Sequence, residues 1–164
     1  ALGLIFLVRG PLTAKYASQT RRGVIRMSKP DPVIPYLQAR VKPGQAIFVY
    51  PYMPMYYFLS GTYSPTRFDY LQLGMHTTEQ FEQAVADLAA DSTEVVVWNL
   101  SFNTESIIYG WPATPLEVLA RDPLRDFILA RYHACAALQS NGFRYLVMVR
   151  RDLTCQGDPA GSSR

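Results

Sequence analysis

The chain has 164 residues, of which 49% are hydrophobic, 13% aromatic with eleven tyrosines, and 18% charged; the charged share lies below the roughly 25% of an average soluble domain. This length suits one core that buries roughly 70% of the unfolded surface. The net charge of +3 comes from thirteen arginines and three lysines, dispersed apart from Arg21, Arg22 and Arg26, a balance too weak to argue for a nucleic-acid partner. No run approaches the roughly 20 apolar residues that span a bilayer.

The first residues, ALGLIFLVRGPL, are apolar from Leu2 to Val8 apart from Gly3, and are followed by Arg9 and Gly10-Pro11. They read either as a first strand or as the last turns of a transmembrane helix, ended by Arg9 at headgroup level and broken by Pro11. Residues 1–12 are accordingly taken as the remnant of a preceding membrane helix or a linker. Residues 13–153 are taken as an α/β domain, and 154–164, ending in QGDPAGSSR, as a disordered polar tail.

Within the domain, Gly23 to Met27 reads as a short strand. Val33 to Val41 carries Ile34, Leu37 and Val41 at helical spacing behind Asp31-Pro32. Ala46 to Tyr50 follows the turn signal Pro43-Gly44 as a buried strand. The next segment, to Gly74, is dense in aromatics and prolines: Tyr52, Tyr56, Tyr57, Phe58, Tyr63, Phe68 and Tyr70. It reads as a contact loop.

The clearest helix runs from about Thr78 to Ala90, with a Thr77/Gln80 capping box and a stripe of Phe81, Ala84, Val85, Leu88 and Ala89. Glu94 to Leu100 is the next buried strand. A looser region to Ala113, containing Asn103, Gly110, Trp111 and Pro112, is a second functional candidate. Thr114-Pro115-Leu116-Glu117 and Asp122-Pro123 each start a helix. The second helix is expected to run to about Ser140, where Asn141-Gly142 ends it, and Phe143 to Val149 is the last strand. Strands alternating with helices predict an α/β fold, a mostly parallel central sheet with helices on both faces, as in a Rossmann-like three-layer sandwich.

The catalytic motifs expected on such a sheet are missing. Neither GxGxxG nor GxxxxGK[ST] occurs, so the glycines form no phosphate cradle, and GxSxG is absent as well. On the expected helix His133 and Cys135, two apart, point about 200° from one another and cannot share a metal. His76 reads as a loop residue ahead of the Thr77 cap. No cofactor or metal is expected. An oxidising compartment would allow Cys135 and Cys155 to pair, but with one on a predicted core face and the other beside the tail, a buried inert Cys135 is the expectation. Glu79, Glu82 and Asp126 suit helix first turns, while Asp69 and Glu105 have no such structural role. Arg67 is placed to bind an anion, to pair with Asp69, or to cover an aromatic face.

A strand, then Tyr-x-Pro-x-Tyr-Tyr-Phe-Leu-x-Gly over Tyr52 to Gly61, then Ser64-Pro65-Thr66-Arg67-Phe68, then Leu73-Gly74 before a helix opening with Glu79-Gln80, together resemble one particular protein tail. It is the soluble extracytoplasmic C-terminal region of bacterial polytopic glycosyltransferases related to dolichyl-phosphate-mannose protein mannosyltransferases and aminoarabinose transferases. Ser64 departs from the asparagine expected there. The resemblance implies a non-catalytic domain on the periplasmic or extracellular side of a membrane transferase that uses a polyprenyl-phosphate-linked sugar. Its partners would be the transmembrane part of the same polypeptide and a lipid-linked sugar or acceptor. No catalytic residue is assigned; Tyr52, Tyr56, Tyr57, Arg67 and Trp111 are the contact candidates. A free-standing enzyme would need an ordered polar cluster around Glu105, Asp69 and His76, and a membrane-proximal interaction domain only an apolar patch.

Overall fold

The structure is a computed structural model, and it describes residues 14–102, 104–110 and 115–155. The apolar start Leu2 to Val8, Asn103, Trp111 and the QGDPAGSSR tail lie outside the described residues, as does the side chain of Glu105.

The first described element is a hairpin of β1 (Tyr16–Thr20) and β2 (Gly23–Met27), a two-stranded sheet of its own. Its Arg21-Arg22 turn is tied by Thr20, whose hydroxyl donates to the Gly23 carbonyl at 2.7 Å and accepts from the Arg22 amide at 3.0 Å. Helix α1 (Val33–Arg40) follows. The Asp31 carboxylate accepts the Val33 amide at 2.9 Å, so one of the helix's unpaired donors is satisfied from outside the first turn.

Strand β3 (Phe48–Tyr50) leads through a cis Tyr50–Pro51 bond to α2 (Met55–Ser60), within the segment read as a contact loop. Gly61 ends α2 with φ +64°, and a β-carbon there would meet the Arg21 side chain at 3.3 Å. Helix α3 (Thr78–Asp91) starts on the expected capping box, the Thr77 amide donating to Gln80 Oε1 at 2.9 Å and the Gln80 amide to Thr77 Oγ1 at 3.4 Å. Strand β4 (Val95–Asn99) and three short helices follow: α4 (Thr104–Gly110), α5 (Leu116–Ala120) and α6 (Pro123–Arg131). Strands β5 (Tyr132–Ser140) and β6 (Phe143–Arg150) close the fold.

The expected parallel, Rossmann-like sheet does not form. The main sheet has the order β3-β4-β6-β5, and only β3 and β4 are parallel; the β4–β6 and β6–β5 pairs are antiparallel. The difference arises at Asn141-Gly142. Both residues have positive φ, 52° and 87°, as in the two-residue turn that joins hairpin strands, and Ser140 pairs directly with Phe143. The segment expected to continue as a helix to Ser140 therefore turns into a strand at Tyr132.

Alternation along the strands sorts the core into two layers. On one face Val49, Val95, Val97, Tyr145 and Val147 pack with Val33, Ile34 and Leu37 of α1 and Tyr56 of α2. On the other, Phe48, Tyr50, Val96 and Met148 pack with Phe81, Ala84 and Leu88 of α3 and with Leu124 and Ile128 of α6. Each face is fastened by the same device, an Asp-Pro pair ahead of a helix whose carboxylate also accepts a buried tyrosine hydroxyl. Asp31 takes Tyr56 at 3.1 Å, and Asp122 takes Tyr50 at 2.5 Å.

The hairpin is fastened at its turn. Arg21 donates to the Ser60 carbonyl at 2.7 Å, the Gln38 carbonyl at 2.8 Å and the Val41 carbonyl, and so gathers the carboxyl ends of α1 and α2. These ends carry unpaired carbonyls and partial negative charge. Arg21→Ala is expected to lower stability by about 2 kcal/mol, as charge-assisted bonds of this kind carry. Arg21→Lys should recover less than half of it, since one ammonium cannot reproduce the planar fork; chemical denaturation of the three proteins decides this.

Five tyrosines are held protonated beyond the ordinary range. Burial pushes Tyr57 and Tyr132 up to about 12. Tyr50, Tyr56 and Tyr145 are raised by burial first, with Asp122 adding to Tyr50 and Asp31 to Tyr56. Because the folded values lie above the unfolded value near 10, the contribution of these groups to stability is complete below about pH 10; for Tyr57 and Tyr132 it is lost as pH rises through about 12. A titration of absorbance at about 295 nm should therefore show the native chain lagging the denatured chain above about pH 10, with Tyr57 and Tyr132 among the missing phenolates near pH 11. The missing amplitude should appear together with loss of near-ultraviolet dichroism.

Candidate functional site

The carboxyl ends of the two parallel strands lie side by side, Tyr50 of β3 in register with Trp98 of β4. In open α/β sheets this edge is where ligands bind. Here it holds a cavity of about 170 Å³. Tyr50, Gln72, Asp122 and Arg125 supply its polar groups, and Pro51, Leu73, Trp98, Leu100, Phe102 and Ile107 its apolar wall.

Each polar group is set by local structure. Asp122 is buried at the start of α6, where one carboxylate oxygen accepts the Arg125 amide at 2.9 Å and the other the Tyr50 hydroxyl. Burial and the Asp122 charge keep the Tyr50 hydroxyl protonated, so it is a fixed donor to that carboxylate. Gln72 is 3% exposed, yet its side-chain Nε2 has no hydrogen-bond partner. Its backbone is pinned: the Gln72 amide donates to His76 Nδ1 at 3.2 Å, and its carbonyl accepts the Met75 and His76 amides. A buried amide donor without an acceptor is costly; among the described residues Arg40 Nη2, Asn99 Nδ2 and the Tyr145 hydroxyl share this condition, and Gln72 is the one of the four that lines this cavity. The Arg125 guanidinium stands partly exposed, 3.4 Å from Asp126.

Outside this cavity, Gln72 and Phe102 also border a hollow of about 310 Å³ made with Tyr52, Tyr70 and Met75. Tyr52 stacks edge-on against Tyr70 at 5.9 Å and tilts over Phe102 at 5.4 Å, and Tyr70 meets His76 edge-on at 5.1 Å. Larger surface hollows occur beside the Pro43–Ala46 turn and between Arg21 and Gly61. No unpartnered buried polar atom of the described residues lines either of them.

Of the contact candidates named from sequence that lie among the described residues, only Tyr52 borders this site, through the outer hollow. Tyr56 and Tyr57 are buried in the layer beneath α1: the Tyr56 hydroxyl donates to Asp31, and the Tyr57 hydroxyl accepts the Val49 amide at 2.8 Å. Arg67 is exposed and covers the Phe68 ring at 4.8 Å. Trp111 is outside the described residues. Asp69 is exposed, and among the described residues it makes no hydrogen bond to His76. Sequence reasoning missed Tyr50, Gln72, Asp122 and Trp98 as site residues. The available signal was positional for three of them, since Tyr50 and Trp98 fall at strand ends and Asp122 at a helix start, while Gln72 lies in the segment between α2 and α3.

A second cluster corrects the reading of the cysteines. Cys135 and Cys155 form a disulfide, their α-carbons 5.4 Å apart. Residues 133 and 135 lie on a strand, where side chains two apart share a face, rather than on a helix. His133 Nε2 accordingly stands 3.9 Å from Cys135 Sγ and 3.5 Å from Cys155 Sγ. The three groups lie within 4.8 Å of one another, but the bond between the sulfurs removes the thiolates that would ligate a metal.

The chain matches no protein-family model, no curated protein and no solved structure. None of the helices among the described residues is long and apolar enough to cross a membrane.

Proposed function

We propose that the chain is a non-catalytic extracytoplasmic domain of a bacterial integral-membrane glycosyltransferase that draws on a polyprenyl-phosphate-linked sugar. It caps the membrane part of the same polypeptide and contacts the acceptor. The observation that carries this reading is the aromatic segment from Tyr52 to Tyr70, with its resemblance to the tails of such transferases. Tyr52, Met55, Phe58 and Tyr63 of that segment are each at least 39% exposed, and tyrosine and its neighbours suit both a water–lipid boundary and stacking on sugar rings. The Cys135–Cys155 bond gives independent support, because disulfides persist in oxidising compartments.

The test is made on the full-length polypeptide in its own cells. Protease added outside the inner membrane should cleave within this domain, and removal of the domain should lower sugar transfer from a polyprenyl-phosphate donor while the membrane part still inserts. A domain reached only from the cytoplasm, or a polypeptide without membrane spans, would overturn the proposal.

A further inference from the structure

We infer that the cavity at the carboxyl ends of β3 and β4 is a binding site for one neutral pyranose ring, with an apolar aglycone lying in the adjoining hollow of Tyr52, Tyr70 and Met75. The inference stands on the pocket's own groups and does not depend on the transferase reading. Size comes first. A cavity of about 170 Å³ is well below the roughly 300–1,000 Å³ of sites for drug-sized ligands, so it admits a single ring and no nucleotide.

Charge comes next. Asp122 places a buried carboxylate against the cavity, which disfavours a phosphate or carboxylate ligand; Arg125, the cation at the mouth, already has Asp126 beside it. A cationic ligand would leave the Gln72 amide donor without an acceptor. A neutral ligand that both accepts and donates avoids each conflict. Ring hydroxyls do this: one oxygen accepts from Gln72 Nε2 after rotation of the terminal amide, a soft torsion, and a neighbouring O–H donates to a remaining lone pair of Asp122. The wall formed by Trp98, Leu73 and Phe102 then meets the C–H face of the ring, as aromatic surfaces do for sugars. The outer hollow, lined by two tyrosines, a methionine and Phe102, offers little beyond apolar contact, so it favours an aglycone over a second hydroxylated ring.

The experiment is a titration of the 164-residue chain, labelled with ¹⁵N, using methyl and phenyl pyranosides of the gluco, manno and galacto series. Cyclohexanol and phenyl phosphate serve as controls. At least one series should produce saturable shifts of the Gln72 side-chain amide and the Trp98 indole N–H in the millimolar range. The phenyl glycoside should bind about tenfold more tightly than its methyl counterpart. Gln72→Leu should weaken both glycosides at least tenfold, whereas Tyr52→Ala should remove only the advantage of the phenyl group. Should Gln72→Leu lose its native spectrum, Gln72→Glu takes its place and is expected to weaken binding by replacing a donor with a charge. The inference is overturned if no glycoside shifts these two resonances by 50 mM, or if cyclohexanol or phenyl phosphate shifts them as strongly as the best glycoside.

Discussion

Asp122→Ala is expected to lower the unfolding free energy by about 3 kcal/mol, a large share of what holds a domain of this size together. Two losses combine. Helix α6 loses the side chain that accepts the Arg125 amide, which costs about 1 kcal/mol. The Tyr50 hydroxyl, in a residue 3% exposed, loses its acceptor, which costs about 1–3 kcal/mol. Asp122→Asn keeps an oxygen for the cap and should cost about 1 kcal/mol. Tyr50→Phe in the Asp122→Ala background should restore part of the loss, because a missing hydroxyl is cheaper than an unsatisfied one. Urea denaturation of the two single variants and the double variant gives the coupling directly. Effects that simply add would show that the two groups do not act together.

Opening the Cys135–Cys155 bridge, by reduction or by Cys155→Ser, is expected to cost a further amount of about 3 kcal/mol. The bond closes a loop with a sequence separation of 20, and constraining the unfolded chain over that length is worth about this much. The folded state loses little besides the attachment of the last described residues, since β5 and β6 stay paired through their own ladder. Hydrogen exchange should therefore rise first at Leu153, whose amide is bonded to the Arg150 carbonyl, while β6 stays protected. Denaturation with and without reductant reads the size of the effect. An unchanged midpoint would mean that the bridge joins segments already held together in the unfolded chain.

The parts of the fold legible in the sequence were those that local chemistry decides. The capping box at Thr77 and Gln80 set the start of α3, and Asp31-Pro32 and Asp122-Pro123 marked α1 and α6. The run of valines from Val95 to Val97 marked a strand buried on both faces. The sheet's direction was lost because Ala134, Ala136 and Ala137 have strong helix propensity and because Asn141-Gly142 serves equally as a helix terminator and a hairpin turn. Pairing with β6 over the length of β5 decided between them, and that pairing is visible only in three dimensions.

The site was less legible for a related reason. Its lining groups come from separate stretches, at Tyr50, Gln72, Trp98 and Asp122, which only the tertiary fold brings together. Aromatic density, the strongest signal in the sequence, marked the neighbourhood but not the roles. Tyr56 and Tyr57 belong to the core, and Tyr52 to the rim.

The grip of Arg21 on the carboxyl ends of α1 and α2 decides how the hairpin would bear a load. A pull applied along β1 at Tyr16 enters at the open end of the hairpin, where Tyr16 is paired with Met27, while the anchor sits at the opposite end, in the turn. The load therefore runs along β1 into the carbonyl contacts of Arg21, and the pairings with β2 carry little of it. With the guanidinium gone, only the Arg21 amide on the Leu59 carbonyl and the Gln38 side-chain amide on the Gln19 carbonyl hold that end, and more of the same pull passes across to Met27, where it peels the strands apart one pairing at a time.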